Sequence, residues 1–410
     1  MQVTSLGEKT TDLSLYIHIP FCVRKCDYCD FLSFPVAKSG CAVGNEEILQ
    51  VYLRALEEEV VRESIRYAGR KVDTIFFGGG TPSLLLPGQM EELMQVLHDS
   101  FEVLPEAEIT IEANPGTLTR DKLKAYKEVG INRLSIGLQS ADDQELQILG
   151  RIHRFEDFRR NYELARDCGF SNINVDLMSG LPGQKRKSWC RTLKTVAELA
   201  PEHISAYGLI IEEGTPFYNR YGEKSSSGIR KLPKEEEERQ MYHDTADLLS
   251  GYGYLQYEIS NYAKSGYECR HNIGYWVRKD YAGFGLGAAS MVGNVRWKNT
   301  SVLTEYMVLA GNDNGMEKGR TAVQTVEIKR EQTCLSLSEQ QEEIMFLGLR
   351  MNRGVSKEKF LELFGKSMES VYGAWLSKME KEGLLLNEES VRLTEKGRDL
   401  ANYVMAGFLQ

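Results

Sequence analysis

Regular alternation of β-type and helix-type segments limits what this chain can fold into. Short runs rich in branched and aromatic residues fall at 15–19, 72–77, 108–112, 133–136, 173–177 and 203–207, each followed by a Gly, Pro, Cys or Gln turn. Amphipathic stretches at 47–67, 89–98, 120–129, 155–167, 187–199 and 234–249 separate or follow them. Such alternation predicts parallel strands joined by helical crossovers. Six units without a dinucleotide-binding glycine fingerprint predict an α/β fold, a partial (β/α)6 TIM-like barrel rather than a doubly wound sheet.

Past residue 330 the pattern changes. A helix at 338–351 with Ser338 as its cap, helices at 356–364 and 368–382, a hairpin at 384–393 turning at 387–389 and a last helix at 394–408 predict an α+β, winged-helix-like unit. The expected division is a barrel at 1–220, a barrel extension at 221–330 and a C-terminal domain at 331–410. Residues 222–228 (GEKSSSG) read as a surface loop, and the acidic run 235–238 as the solvated start of a helix. Winged helices often bind DNA, but the balanced charges here favour a packing module. The net charge of −9 leaves no basic excess to displace counterions, which argues against nucleic acid. No apolar run has the length of a membrane span. The polar stretch 1–12 lacks a signal-peptide core, so a cytoplasmic protein is expected.

Three of the eight cysteines lie within eight residues, in Phe21-Cys22-Val23-Arg24-Lys25-Cys26-Asp27-Tyr28-Cys29-Asp30-Phe31. In a reducing compartment such clustering points to a metal or cluster rather than to disulfides. Cys22, Cys26 and Cys29, spaced C-x3-C-x2-C, can ligate three corners of a cubane and leave one iron open, whereas electron-transfer clusters use four cysteines. Structural zinc is the alternative. Zinc sites are usually closed by a fourth Cys or His, and His18 lies within the first strand. Cys41, Cys168, Cys190, Cys269 and Cys334 are scattered, with Cys168 expected as a small buried residue.

Other polar residues share this register. Gly78-Gly79-Gly80-Thr81 follows the second strand, where glycines permit close backbone approach to a ligand. Glu112 ends the third strand, Gln139 and Arg151 follow the fourth, Asp176 lies near the end of the fifth, and Ile210 follows the sixth. Polar groups gathered at the carboxyl ends of parallel strands are the pattern of barrel enzymes.

The cysteine spacing after Tyr16-Ile17-His18-Ile19-Pro20 resembles the radical S-adenosylmethionine (SAM) superfamily. That resemblance implies a [4Fe–4S] cluster on Cys22, Cys26 and Cys29, with SAM chelating the open iron and cleaved to a 5′-deoxyadenosyl radical. From Tyr16 to about Ile210, and more loosely to the C-terminus, the chain is similar to the oxygen-independent coproporphyrinogen III oxidase family. Carried over, Tyr16, Gly79, Gly80, Thr81, Glu112, Gln139, Arg151 and Asp176 match that family's SAM contacts. The resemblance implies Glu112 on the ribose hydroxyls, Gln139, Arg151 and Asp176 orienting carboxylate and ribose, and Ile210 on the adenine.

Two features divide that family. True oxidases extend the motif to a fourth cysteine, where this chain has Phe31, as the heme-chaperone (HemW-like) branch does. His271-Asn272-Ile273-Gly274-Tyr275-Trp276 fits the H-N-x-x-Y-W pattern that the branch associates with heme. A neutral imidazole is a good axial iron ligand, and Tyr275 and Trp276 can pack on a macrocycle. Chemistry alone favours a hydrogen-bonded surface histidine beside two core aromatics; the resemblance reverses that preference toward heme. Cys269 is an alternative or additional contact, and Ala289 stands where relatives often carry His. Three functions follow: a chaperone delivering heme to acceptors such as membrane-associated respiratory hemoproteins, an anaerobic coproporphyrinogen III oxidase, or a radical SAM enzyme acting on another tetrapyrrole.

Overall fold

The computed structural model describes residues 12–35, 43–223, 225, 231–308 and 330–409. Cys41 and most of the 222–228 loop lie outside the described residues. Six parallel strands, β1 (Asp12–Ile19), β2 (Lys71–Gly79), β3 (Glu102–Ala113), β4 (Arg133–Gln139), β5 (Ile173–Ser179) and β6 (His203–Gly208), are neighbours in chain order. A doubly wound sheet reverses its strand order at a switch point. Here the order never reverses, and the helices that connect the strands pack on one face, where Leu93, Leu123, Phe158 and Leu193 share a core with the outward strand residues. The sheet is the expected partial barrel.

Each strand outruns its sequence-based bounds. β3 starts six residues before its predicted first residue, because Glu102 and Val103 pair with Lys71 and Val72 before a register shift. The sheet also continues past both edges. Tyr281–Phe284 pairs parallel to β1 and leads antiparallel into Ala289–Val292, Val295–Asn299 and Arg330–Cys334. Asn261–Ala263 adds antiparallel to β6, and Leu255–Gln256 antiparallel to Asn261–Ala263.

The two faces differ in chemistry. Leu15 and Ile17 of β1, Ile75 and Phe77 of β2, Ile111 of β3 and Ile136 of β4 point outward into the large core beneath the helices. The alternate residues face inward and are polar: Ser14 and His18, Thr74, Glu108 and Thr110, Arg133 and Ser135, Asn174, His203 and Ser205 are all buried. Period-two alternation in strands buried on both faces therefore marks a polar interior.

Residues 335–408 form a second core around Met345, Phe360, Leu376 and Val404. Its helix Leu337–Gly348 is capped by Ser336, not Ser338: Ser336 Oγ accepts the Glu339 N–H, and Glu339 accepts the Ser336 N–H. The hairpin is Leu385–Asn387 with Ser390–Leu393. The expected last helix breaks at Leu400 into Glu395–Asp399 and Ala401–Ala406. Cys168 is half-buried at a helix end rather than enclosed. No helix among the described residues is long and apolar enough to cross a membrane.

One helix, Arg270–Trp276, closes the barrel near the start of the strands. Glu108 caps it from β3: its carboxylate accepts the N–H groups of Arg270 and His271, both at 3.1 Å. A carboxylate on a helix N-terminus is favourable for both dipole and hydrogen bonds. Glu108→Ala should cost about 2–3 kcal/mol, the cost of orphaning buried donors, read as a lower Tm and faster proteolysis near residues 265–280.

Candidate functional site

The cysteine loop leaves β1 and is fastened to the barrel at several points. Gly80 and Thr81 donate their N–H groups to the carbonyls of Ile19 and Phe21, both at 2.8 Å. A Cβ on Gly80 would lie 2.6 Å from the Phe21 carbonyl oxygen, and one on Gly79, at φ +109°, would strike the His18 ring at 2.4 Å. These glycines are thus required by the protein's own packing, beside any ligand approach. Farther along, Asp27 donates its N–H to Leu149 and its carbonyl accepts from Phe217, while its carboxylate pairs with Arg220. Tyr28 packs edge-on to Phe217, and the His18 ring, on the inner face of β1, holds the Leu32 carbonyl at 2.9 Å.

The three thiols are all free, Cys22 buried and Cys26 and Cys29 half-buried. Burial first, then the nearby Cys26 and Cys22, pushes the Cys29 thiol up to about 11. Thr81 Oγ1 lies 3.5 Å from Cys22 Sγ, and the Arg151 guanidinium donates to Cys26 Sγ at 3.4 Å. Arg151 also donates to Gly137 O and, at 2.7 Å, to Asn114 Oδ1; Asn114 in turn donates to Thr81 Oγ1 at 2.8 Å. One relay thus joins the ends of β2, β3 and β4 to two cysteines. Among the described residues no three His, Cys, Asp or Glu side chains gather tightly enough for a single metal ion.

Deeper in the barrel, Gly79 donates its N–H to Glu112 at 3.1 Å. Burial, with Asp176 adding to it, raises Glu112 to about 8. Burial raises Asp176 as well, against hydrogen bonds from Asn174 and Ser135. Tyr16 stacks on Phe76 and its hydroxyl lies 3.0 Å from His18 Nδ1. Gln139 sits at φ +74° on the β4–β5 irregularity, a left-handed conformation that costs a non-glycine residue about 1–3 kcal/mol and is concentrated at functional sites. Ile210 stands beyond β6 with 70% of its surface exposed.

Tyr16, Gly79, Gly80, Thr81, Glu112, Gln139, Arg151 and Asp176 thus line the upper barrel with Cys22, Cys26 and Cys29. His271 does not join them. It is buried nearer the start of the strands, with Nδ1 2.9 Å from Thr74 Oγ1, Nε2 3.0 Å from the Tyr275 hydroxyl, and its ring stacked on Phe76, which alone separates it from Tyr16. Burial first, then Lys279 and Arg133, lowers it to about 3. Both ring nitrogens are engaged, but the ring is buried, not at the surface where chemistry alone sets it, because the 270–276 helix packs its start against β2 and β3. Cys269, fully buried with Sγ 3.5 Å from Glu108, is held as a thiol near 12. Sequence reasoning missed Asn114, Ser135, Asn174, His203 and Arg133; the polar alternation of RLSIG was the signal for Arg133 and Ser135, that of INVDL for Asn174 and that of HISAY for His203, while Asn114 carried none.

The family model of the radical SAM superfamily matches residues 16–196, and that of the HemN C-terminal domain residues 335–400. The heme chaperone HemW of Bacillus subtilis is 39% identical over 97% of this chain and 99% of its own length. The chain belongs to the HemW family. HemW of Escherichia coli is 42% identical over 69% of this chain and 71% of its own. Among solved structures, the radical SAM enzyme coproporphyrinogen III oxidase (HemN) of Escherichia coli superposes with a TM-score of 0.80 and 26% identity, over 97% of this chain and 90% of that one. HemW membership thus joins a radical SAM barrel to an oxidase-like C-terminal domain in one chain.

The raised Glu112 carboxyl has a testable consequence. Its folded value, about 8, lies above the ordinary 4.5, so the folded state holds the proton more tightly. The two states are equally protonated below about pH 4, and stability falls as pH rises toward 8. Glu112→Gln keeps an acceptor for Gly79 and removes that cost. In the cofactor-free protein its Tm should exceed wild type's by more at pH 8 than at pH 5; equal gains would show that Glu112 is not the titrating group.

Proposed function

We propose that this chain is a heme-binding chaperone that carries a [4Fe–4S] cluster and SAM and passes heme to acceptor hemoproteins. The full-length likeness to proteins named heme chaperones carries this reading. The donor set fits the cluster: three soft thiols on one pinned loop, with the Arg151 cation donating to one of them. Cys22, Cys26 and Cys29 would hold it and leave one iron for SAM. A reduced cluster with bound SAM supplies one-electron reducing chemistry. In this reading Gly79, Gly80 and Thr81 present backbone to the methionine end of SAM. Glu112 and Asp176 hold the ribose, Tyr16, Gln139 and Arg151 close the site, and exposed Ile210 covers the adenine. The cytoplasm is the proposed compartment, and respiratory-chain hemoproteins are the proposed acceptors.

Phe31, 62% exposed, occupies the position that in oxidases is cysteine, so decarboxylase activity is not part of the proposal. His271 remains the proposed iron ligand. To serve, it has to leave Thr74 and Tyr275, which makes ligation a step that opens the start of the 270–276 helix.

Anaerobic reconstitution should give about four iron and four sulfide per chain, lost in Cys22→Ala, Cys26→Ala or Cys29→Ala but retained in Cys269→Ala. Gly80→Ala should lower both cluster content and SAM affinity, because its Cβ collides with the cysteine-loop backbone. Glu112→Ala should weaken SAM alone in calorimetry. Incubated with coproporphyrinogen III, SAM and reductant, the protein should form no protoporphyrinogen IX; with hemin it should develop a Soret band. Product at enzymatic rates and no Soret band would move the chain to the oxidase reading.

A further inference from the structure

A cavity of about 320 Å³ opens between the 270–276 helix and the C-terminal domain, within the size range of small-molecule sites. Its walls are apolar and partly aromatic: Trp276, Ile344, Met351, Val355 and Phe360. Trp276 carries the Arg350 guanidinium over its ring at 4.4 Å, which fixes the indole in the wall. The buried indole N–H has no hydrogen-bond partner among the described residues.

Two exposed cations, Arg353 and Lys359, stand at the cavity. Nearby basic side chains are paired: Arg350 with Glu258, Lys357 with Glu369 and Arg392 with Glu388. Among the described residues Arg353 and Lys359 make no ion pair. Paired cations around an apolar cavity need no ligand, whereas two unpaired ones at its edge complement two carboxylates. An apolar, aromatic-walled cavity with two such cations suits a flat amphiphilic diacid.

We propose that this cavity is the docking site of the tetrapyrrole, with the macrocycle against Trp276 and Phe360 and the propionates at Arg353 and Lys359. The assignment rests on the heme reading above and gives it a place. Trp276 and His271 lie on the same seven-residue helix, so a macrocycle seated on one face of that helix lies beside the step that frees His271 on the other. Docking itself requires neither imidazole nor iron. Met351, buried in the wall, is the residue there whose thioether can approach iron.

The test uses the full chain titrated with hemin and with iron-free protoporphyrin IX, read by absorbance and by quenching of tryptophan fluorescence. Arg353→Glu/Lys359→Glu changes exposed side chains, and Ser390→Trp fills the cavity from the hairpin strand. Cluster content and Tm serve as folding controls. Each variant should weaken both ligands at least about tenfold, Trp276→Phe should remove most of the quenching, and His271→Ala should leave protoporphyrin IX binding within about twofold. If wild type binds hemin and the charge-reversed and Ser390→Trp proteins bind it equally well, the cavity is not the site while the heme-carrier reading stands. If wild type binds neither ligand, both fall.

Discussion

Burial of polar side chains on the inner face of a parallel sheet is the constraint on which the rest of this protein rests. An unpaired polar group in such a place costs about 1–3 kcal/mol, and six strands bring many. The protein satisfies most of them laterally. Asn174 Oδ1 lies 2.6 Å from His203 Nδ1 and accepts from Ser205, while its amide donates to Ser135 and Asp176. Glu108 is satisfied from outside the strands, by the N-terminus of the 270–276 helix. Arg133 keeps a buried Nε without a partner. Its positive charge helps hold His203 and His271 neutral, second to burial at His203. Most of the interior's polar groups toward the start of the strands are thus hydrogen-bonded. At their ends its polar groups converge with the cysteine loop, where Glu112 and Asp176 are raised by their own burial.

The 270–276 helix is therefore a shared wall. On one side Thr74, Phe76 and Glu108 hold His271. On the other, Trp276 lines the cavity against the C-terminal domain. That domain is clamped nearby by Glu343, nearly buried between Arg278 at 2.8 Å and Arg296 at 2.7 Å, and by Glu258, fully buried and paired with Arg350. Ion pairs this enclosed are costly to break one-sidedly, so the C-terminal domain holds the helix in place.

Much of this was legible before any coordinates. Local periodicity set the order of strands and helices, and the missing dinucleotide fingerprint pointed to a partial barrel. The C-x3-C-x2-C spacing and the residues following each strand picked out side chains that the fold gathers at one end of the barrel, because a motif on a strand-ending loop is a local property of the sequence. Bounds were less legible: β3 is lengthened by pairing with β2, and Ser336 rather than Ser338 caps a helix because its partner Glu339 is in reach.

Distant contacts were the tertiary structure's to decide. By itself the sequence determined a parallel β/α barrel with three clustered thiols at one end, since those features depend on residues close together in the chain. It left His271 open between an iron ligand and a hydrogen-bonded surface residue. Only the fold brings Thr74 and Phe76, nearly two hundred residues away, against that ring. Only the fold, too, joins Trp276 to Phe360 across a cavity. The physical reason is the same in each case. What a side chain can bind depends on which of its polar atoms are already taken, and chain closure over long separations settles that.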